Sequence, residues 1–253
     1  MPTPFMHLHI AEKTVNAFAI EHSDNRVLGQ IRAAWPAFYF GSVAPDYQTI
    51  CDVPREDTHF YHMPPEQGNM GYNRMLKTYP QLADARVLTS PHAVFIAAYA
   101  AHLLLDMIWL REILYPIFLN SSHFEDRHER HLTHLILLTY LDGLAYNTLS
   151  ATAGTTLAAA VPDHWLPFAL DADLIRWQTL LTRQLLPGGQ RETEAIFAER
   201  LGLTTEAFGA LLADENWLQT HLLKKIPIDS IQARLDTAVS ESVTIIQNYL
   251  NPT

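Results

Sequence analysis

The sequence predicts an all-α fold: a single multi-helix domain over 1–253, with a buried central helix and one long site-forming loop. Three observations predict it. Apolar residues recur at helical spacing along most of the chain, no period-two run is long enough for a sheet, and helix-start signals stand where the apolar patterns begin. In chain order, Thr3-Pro4 reads as an N-cap followed by proline at the first helical position, opening a helix over 4–21. A short apolar stretch covers 31–39. Residues 40–80 then hold Gly41, Pro45, Pro54, Pro64, Pro65, Gly68, Gly71 and Pro80. A loop that long inside a compact domain is uncommon unless it builds a site. Ser90-Pro91 repeats the start signal and launches a strongly apolar helix, about 91–114, expected to end near Pro116. A helix over 125–150 is polar at its start and apolar after Leu135. Gly154, Pro162 and Pro167 mark a second loop. Helices at 172–186, 192–201, 205–212 and 229–250 follow, separated by Pro187-Gly188-Gly189 and Pro227, and make a helical C-terminal part over 168–250.

Composition narrows the function. The 253 residues carry 27 acidic and 17 basic side chains, a formal charge of −10, and 48% are apolar, so a core is affordable and a disordered polyelectrolyte is excluded. With no basic run, an extended nucleic-acid surface is excluded as well. A polyanionic substrate would need a bound cation to neutralise it. Cys51 stands alone, which excludes an internal disulfide and a thiolate-rich zinc cage; metal chemistry must use His, Asp and Glu, and there are 13 histidines. The stretch 1–10 has no basic or apolar leader pattern and reads as mature from the start, so a cytoplasmic location is expected. The apolar stretch 93–119 is interrupted by His102, Asp106, Arg111 and Glu112. A central Asp alone costs about 2.5–3.5 kcal/mol on insertion scales, so a core helix of a soluble protein is expected, with no transmembrane segment.

Histidines fall almost entirely before residue 135, which sets the metal-ligand region at 4–135. The central pattern is His102-Leu-Leu-Leu-Asp106, whose i, i+4 spacing puts both side chains on one helix face. A buried, unpaired carboxylate costs several kcal/mol and requires an ion partner, protonation or a metal. A His–Asp hydrogen bond in the core is the plain alternative. His7 and His9 diverge by about 200° on the first helix, so one of them can face a shared site. Asp46 follows Gly-Ser-Val-Ala-Pro and also suits a turn; His59, in Thr-His-Phe-Tyr, also suits a loop histidine on an aromatic patch. Glu56/His59 and Glu125/His128 form the Glu-x-x-His pairs of di-iron bundles, but Pro54 leaves Glu56 at best a very short helix. There is no His-Asp dipeptide, Gly-rich phosphate loop or Gly-x-Ser-x-Gly elbow.

Taken in order, Met6-His7-Leu8-His9-Ile10-Ala11, Gly41-Ser-Val-Ala-Pro-Asp46, Thr58-His59-Phe60-Tyr61 and Ala98-Tyr-Ala-Ala-His102-Leu-Leu-Leu-Asp106 resemble the zinc-dependent phospholipase C family, all-α enzymes related to single-strand-specific zinc nucleases. The resemblance covers about residues 4–120. It implies one to three zinc ions and hydrolysis of a phosphate ester, from a lipid or a small molecule, by a metal-bound hydroxide. It implies His7 as the ligand on the first helix with His9 its outward neighbour, Asp46, His59 and His102 around one metal, and Asp106 bridging to another. Asp46 is then also the group that orients or deprotonates the attacking water. Where the relatives carry a further His, six residues beyond Asp106, this chain has Glu112, a ligand by replacement or part of an ion-pair face with Arg111. The later His-x-x-x-Glu pair has no match; His123, His128, His131 and His134 lie nearby, with a partly exposed polar face the plainer reading of the last three. The relatives also ligate a metal with the mature amino terminus, whereas six residues precede His7 here, so that ligand is expected to be missing. The alternative function is a non-catalytic helical protein with one structural or vestigial metal site, acting through protein contacts.

Overall fold

Thr3 starts the first helix as its sequence suggests: its side-chain oxygen accepts from the Met6 amide at 3.5 Å and Pro4 takes the first turn. Helix α1 is Pro4–Glu21, α2 is Arg26–Ala33 and α3 is Trp35–Gly41. The computed structural model describes residues 1–21, 26–66, 68, 70–120 and 122–252. After α3 comes a short 3₁₀ turn, Ala44–Ile50, then α4 (Arg55–His59) and α5 (Tyr72–Thr78). The expected irregular loop is thus a string of short helices; Gln67 and Asn69, which fall in it, lie outside the described residues. Segments of five to seven residues make only about two helical turns, too short for a 3.6-residue period to register.

Helix α6, Ser90–Ile108, has Thr89 rather than Ser90 at its N-cap. It does not stop at Pro116: Trp109–Leu119 continues it in a wider π-helical register with Pro116 inside. That register gives the proline ring the room an α-helical turn denies. Then follow α7 (Arg127–Thr148), α8 (Ala153–Ala158), α9 (Asp171–Leu185), α10 (Thr193–Leu201), α11 (Thr205–Ala213), α12 (Glu215–Trp217, extended as a π-helical turn to Leu223) and α13 (Ile228–Leu250). Helices α8 and α12 fall where loops are expected. No strand occurs among the described residues, so the fold is all-α.

Helix α6 is the axis of the packing. It lies against α3 on one side and α13 on another, and α13 and α7 both flank α1. By length and composition Ser90–Leu119 is apolar enough to cross a membrane, but 94% of its most apolar window is buried inside the protein, as a core helix would be. Gly41 permits the α3–α6 approach, because a Cβ there would lie 2.4 Å from the Phe95 carbonyl oxygen. Phe5, Leu8 and residues 94–99 of α6 belong to one apolar cluster, and Met6, Ile10, Leu104 and Leu105 to a second. A third holds Tyr61, Met107 and Leu110. The changeover along α6 falls on the turn that carries His102 and Asp106, and along α1 residues of the two clusters alternate on either side of His7. Each large apolar side chain buried there contributes about 1.5–3 kcal/mol, so together they can hold polar groups in the interior at several kcal/mol each.

Candidate metal centre

Four stretches of chain deliver side chains to that junction. Helix α6 supplies His102 and Asp106 from successive turns, α1 supplies His7, α4 supplies His59, and the first turn of the Ala44–Ile50 segment supplies Asp46. All five are buried. The His59 Nε2 lies 3.4 Å from an oxygen of Asp46 and 3.4 Å from one of Asp106. The His7 Nε2 lies 3.4 Å from the other Asp106 oxygen, and the His102 Nε2 lies 4.0 Å from Asp106. The His7 and His102 rings are stacked, with centroids 3.6 Å apart. Two groups of ligand atoms, His7–Asp46–His102 and His59–His102–Asp106, each lie within 4.8 Å of one another and can hold a metal ion.

Proton bookkeeping shows that the cluster suits a cation. The His102 Nδ1 lies 2.9 Å from the Ser42 carbonyl oxygen, an acceptor, so Nδ1 carries the proton. The Thr58 hydroxyl donates to the Arg55 carbonyl at 3.1 Å and therefore accepts from the His59 Nδ1 at 2.7 Å. In both neutral rings the Nε2 is then a bare acceptor facing carboxylate oxygens. Acceptor against acceptor at such range is repulsive unless the ring takes a second proton or a metal ion stands between. Burial opposes the second proton: it pushes the His102 imidazole down to about 3, with the neighbouring His7 adding to the push, and pushes His59 down as well. Consistently, the Nε2 atoms of His7, His59 and His102 and one oxygen of Asp106 are buried with no hydrogen-bond partner. Burial alone would raise the Asp106 and Asp46 carboxyls, but the Arg55 guanidinium beside them works the other way, and both are held below the usual carboxylate range. Neutral imidazoles beside ionised carboxylates are the donor set that zinc takes.

The surrounding contacts fix these ligands. Tyr99 donates its hydroxyl to the Thr58 carbonyl at 2.7 Å, holding α4 against α6. Phe60 ends α4 in the left-handed region, φ 59°, and its ring packs on Tyr79 and Phe168, so the chain turns back and Tyr61 reaches Asp106 at 3.2 Å. Gly71 (φ 65°) lets the following loop close on α4; a Cβ there would lie 2.8 Å from the His59 carbonyl oxygen.

Arg55 is the site residue that the sequence did not disclose. Its Nη2 donates to Asp106 and, at 3.1 Å, to the Tyr61 hydroxyl, while its Nη1 lies 3.7 Å from Asp46. An arginine in Pro54-Arg-Glu-Asp reads as solvated charge, and the one available signal was its i, i+4 relation to His59. Ser42, Thr58 and Tyr61 stood inside the quoted motifs with no role given to them.

Glu112 is not brought to the cluster. It lies in the π-helical extension, with its carboxylate 2.7 Å from Arg234 of α13; six residues beyond Asp106 is off that residue's helix face. His9 faces outward, 2.9 Å from the Thr148 hydroxyl. His123, His128 and His131 are exposed, and His134 packs beside Trp109 and Phe118. Met1 packs against the cluster of Tyr61, Met107 and Leu110, and burial pushes its amino group down to about 6.

The sequence profile of a family described as zinc dependent phospholipase C matches residues 6–185. Comparison with curated proteins and with solved structures yields no match. Because the family match covers more than half of the chain and every segment that meets at the cluster, the chain belongs to the zinc-dependent phospholipase C family.

Proposed function

We propose that this chain hydrolyses a phosphate ester, with a lipid phosphodiester as the substrate class, at a zinc site made by His7, Asp46, His59, His102 and Asp106. The observation that carries the proposal is the pair of bare Nε2 acceptors of His59 and His102 facing ionised carboxylates. When bound, zinc supplies Lewis-acid polarisation of a phosphoryl oxygen and lowers the pKa of a coordinated water towards about 7. The chain supplies the rest. Thr58 and the Ser42 carbonyl fix the tautomers of His59 and His102, so their lone pairs point inward without adjustment at the moment of reaction. Asp106, with 1% of its side chain exposed, holds charge at the floor of the cluster. Asp46, at 10%, is the more accessible carboxylate and takes the role of orienting the attacking water and accepting its proton. The protein's acidity is no bar to an anionic ester once that cluster is neutralised.

The experiment is elemental analysis of the purified chain together with turnover of a chromogenic phosphodiester. Turnover abolished by a chelator and restored by zinc supports hydrolysis. A second reading, a non-catalytic scaffold with one structural metal, is favoured by the Arg55–Asp106 ion pair, which partly neutralises the cluster from within. One tightly held metal with no turnover selects it.

A further inference from the structure

Arg55 is the outermost charged group of the cluster. Its side chain is 30% exposed, against 10% for Asp46, 1% for Asp106 and 0% for His59 and His102. It is also held still. One nitrogen, Nη2, donates to both Asp106 and Tyr61, the Tyr61 hydroxyl donates to Asp106 at 3.2 Å, and the guanidinium carbon lies 5.8 Å from the Tyr61 ring centroid. The other terminal nitrogen, Nη1, has a looser 3.7 Å ion pair with Asp46, beyond hydrogen-bond length. A guanidinium fixed along one side and loosely engaged on the other, at the solvent edge of an acidic cluster, is a pre-oriented fork for an oxyanion.

Charge points the same way. Counted formally, Asp46 and Asp106 contribute two negative charges and Arg55 one positive. One divalent cation then leaves the cluster with a single positive charge, the complement of one phosphodiester anion. Without Arg55 that balance is zero.

We infer that Arg55 grips the non-bridging phosphoryl oxygens of the substrate, serving as an organic cation beside the bound metal. This rests on the hydrolytic reading above and names the residue that recognises its substrate's phosphate. A counter-ion for two buried carboxylates is the competing role. It would be filled equally well with the guanidinium fully enclosed, and it predicts no effect on anion binding once zinc is present.

The test uses the full chain loaded with zinc, inorganic phosphate as the probe, and the variants Arg55→Gln and Arg55→Lys. Zinc content is read by elemental analysis and phosphate affinity by calorimetry. The expected result is weaker phosphate binding by about tenfold to a hundredfold in Arg55→Gln, the range spanned by charge-assisted hydrogen bonds, with an intermediate loss in Arg55→Lys, which keeps charge but not the fork. Zinc is expected to stay bound in at least the lysine variant. Unchanged phosphate affinity in zinc-loaded variants overturns the inference, and so does loss of zinc from both, which makes Arg55 a structural counter-ion. Wild-type turnover is measured beside these. Zinc bound without turnover defeats the hydrolytic reading while the phosphate isotherms still decide Arg55, and turnover with equal isotherms defeats Arg55 alone.

Discussion

Asp106 meets more partners than any other carboxylate at the centre. His7 lies against one of its oxygens, and Arg55, Tyr61, His59 and His102 lie against the other. Replacing Asp106 by Asn keeps the shape and removes the charge. The expected outcome is loss of zinc by at least about tenfold and a lower melting temperature in zinc buffer, checked by elemental analysis and calorimetry. If metal content and melting temperature both stay at wild-type values, Asp106 is not a ligand. Thr58→Val is the subtler test. It removes the acceptor that fixes the His59 tautomer and leaves the ring in place, so zinc affinity is expected to fall about tenfold to a hundredfold with the fold retained. Five of the six residues singled out by the sequence do meet at the cluster. His102 and Asp106 were legible because imidazole and carboxylate spaced at i, i+4 on an apolar helix demand an explanation, whereas His7, Asp46 and His59 were legible only through the order of motifs that resembles the family. Glu112 and Arg55 were not legible, for opposite reasons: Glu112 pairs with Arg234, 122 residues on, a partner that local spacing does not reveal, and Arg55 owes its place to a turn of chain after Pro54.

At the scale of the element, the long helices α1, α6, α7 and α13 stand close to where their caps and apolar periods place them. What escaped was short or irregular: α4, α5, α8 and α12 lack the length for a period, and Pro116 stands inside a helix it was expected to end. Gly41, which reads as a loop residue in the sequence, instead sits at the last position of α3, where it sets the distance between α3 and α6. A methyl there meets the Phe95 carbonyl at 2.4 Å and the Ala98 side chain at 2.9 Å, and one of these is backbone that cannot swing aside. Gly41→Ala is therefore expected to destabilise the chain by about 1–3 kcal/mol in urea unfolding. It should also loosen zinc, because Ser42, the next residue, orients His102.

For the whole molecule, the decisive arrangement is that partners at the cluster come from remote stretches of chain. Ser42 and His102 are 60 residues apart, Arg55 and Asp106 are 51, and Tyr61 and Asp106 are 45. Contacts of that separation require large loops to close before they form, which places the completed cluster late on the folding route. Zinc should therefore act as a clasp, fastened after the helices have packed. In stopped-flow traces the refolding limb should be nearly the same with zinc or with a chelator, while the unfolding limb should slow markedly when zinc is present. Equal acceleration of refolding would mean that the four stretches already meet at the barrier.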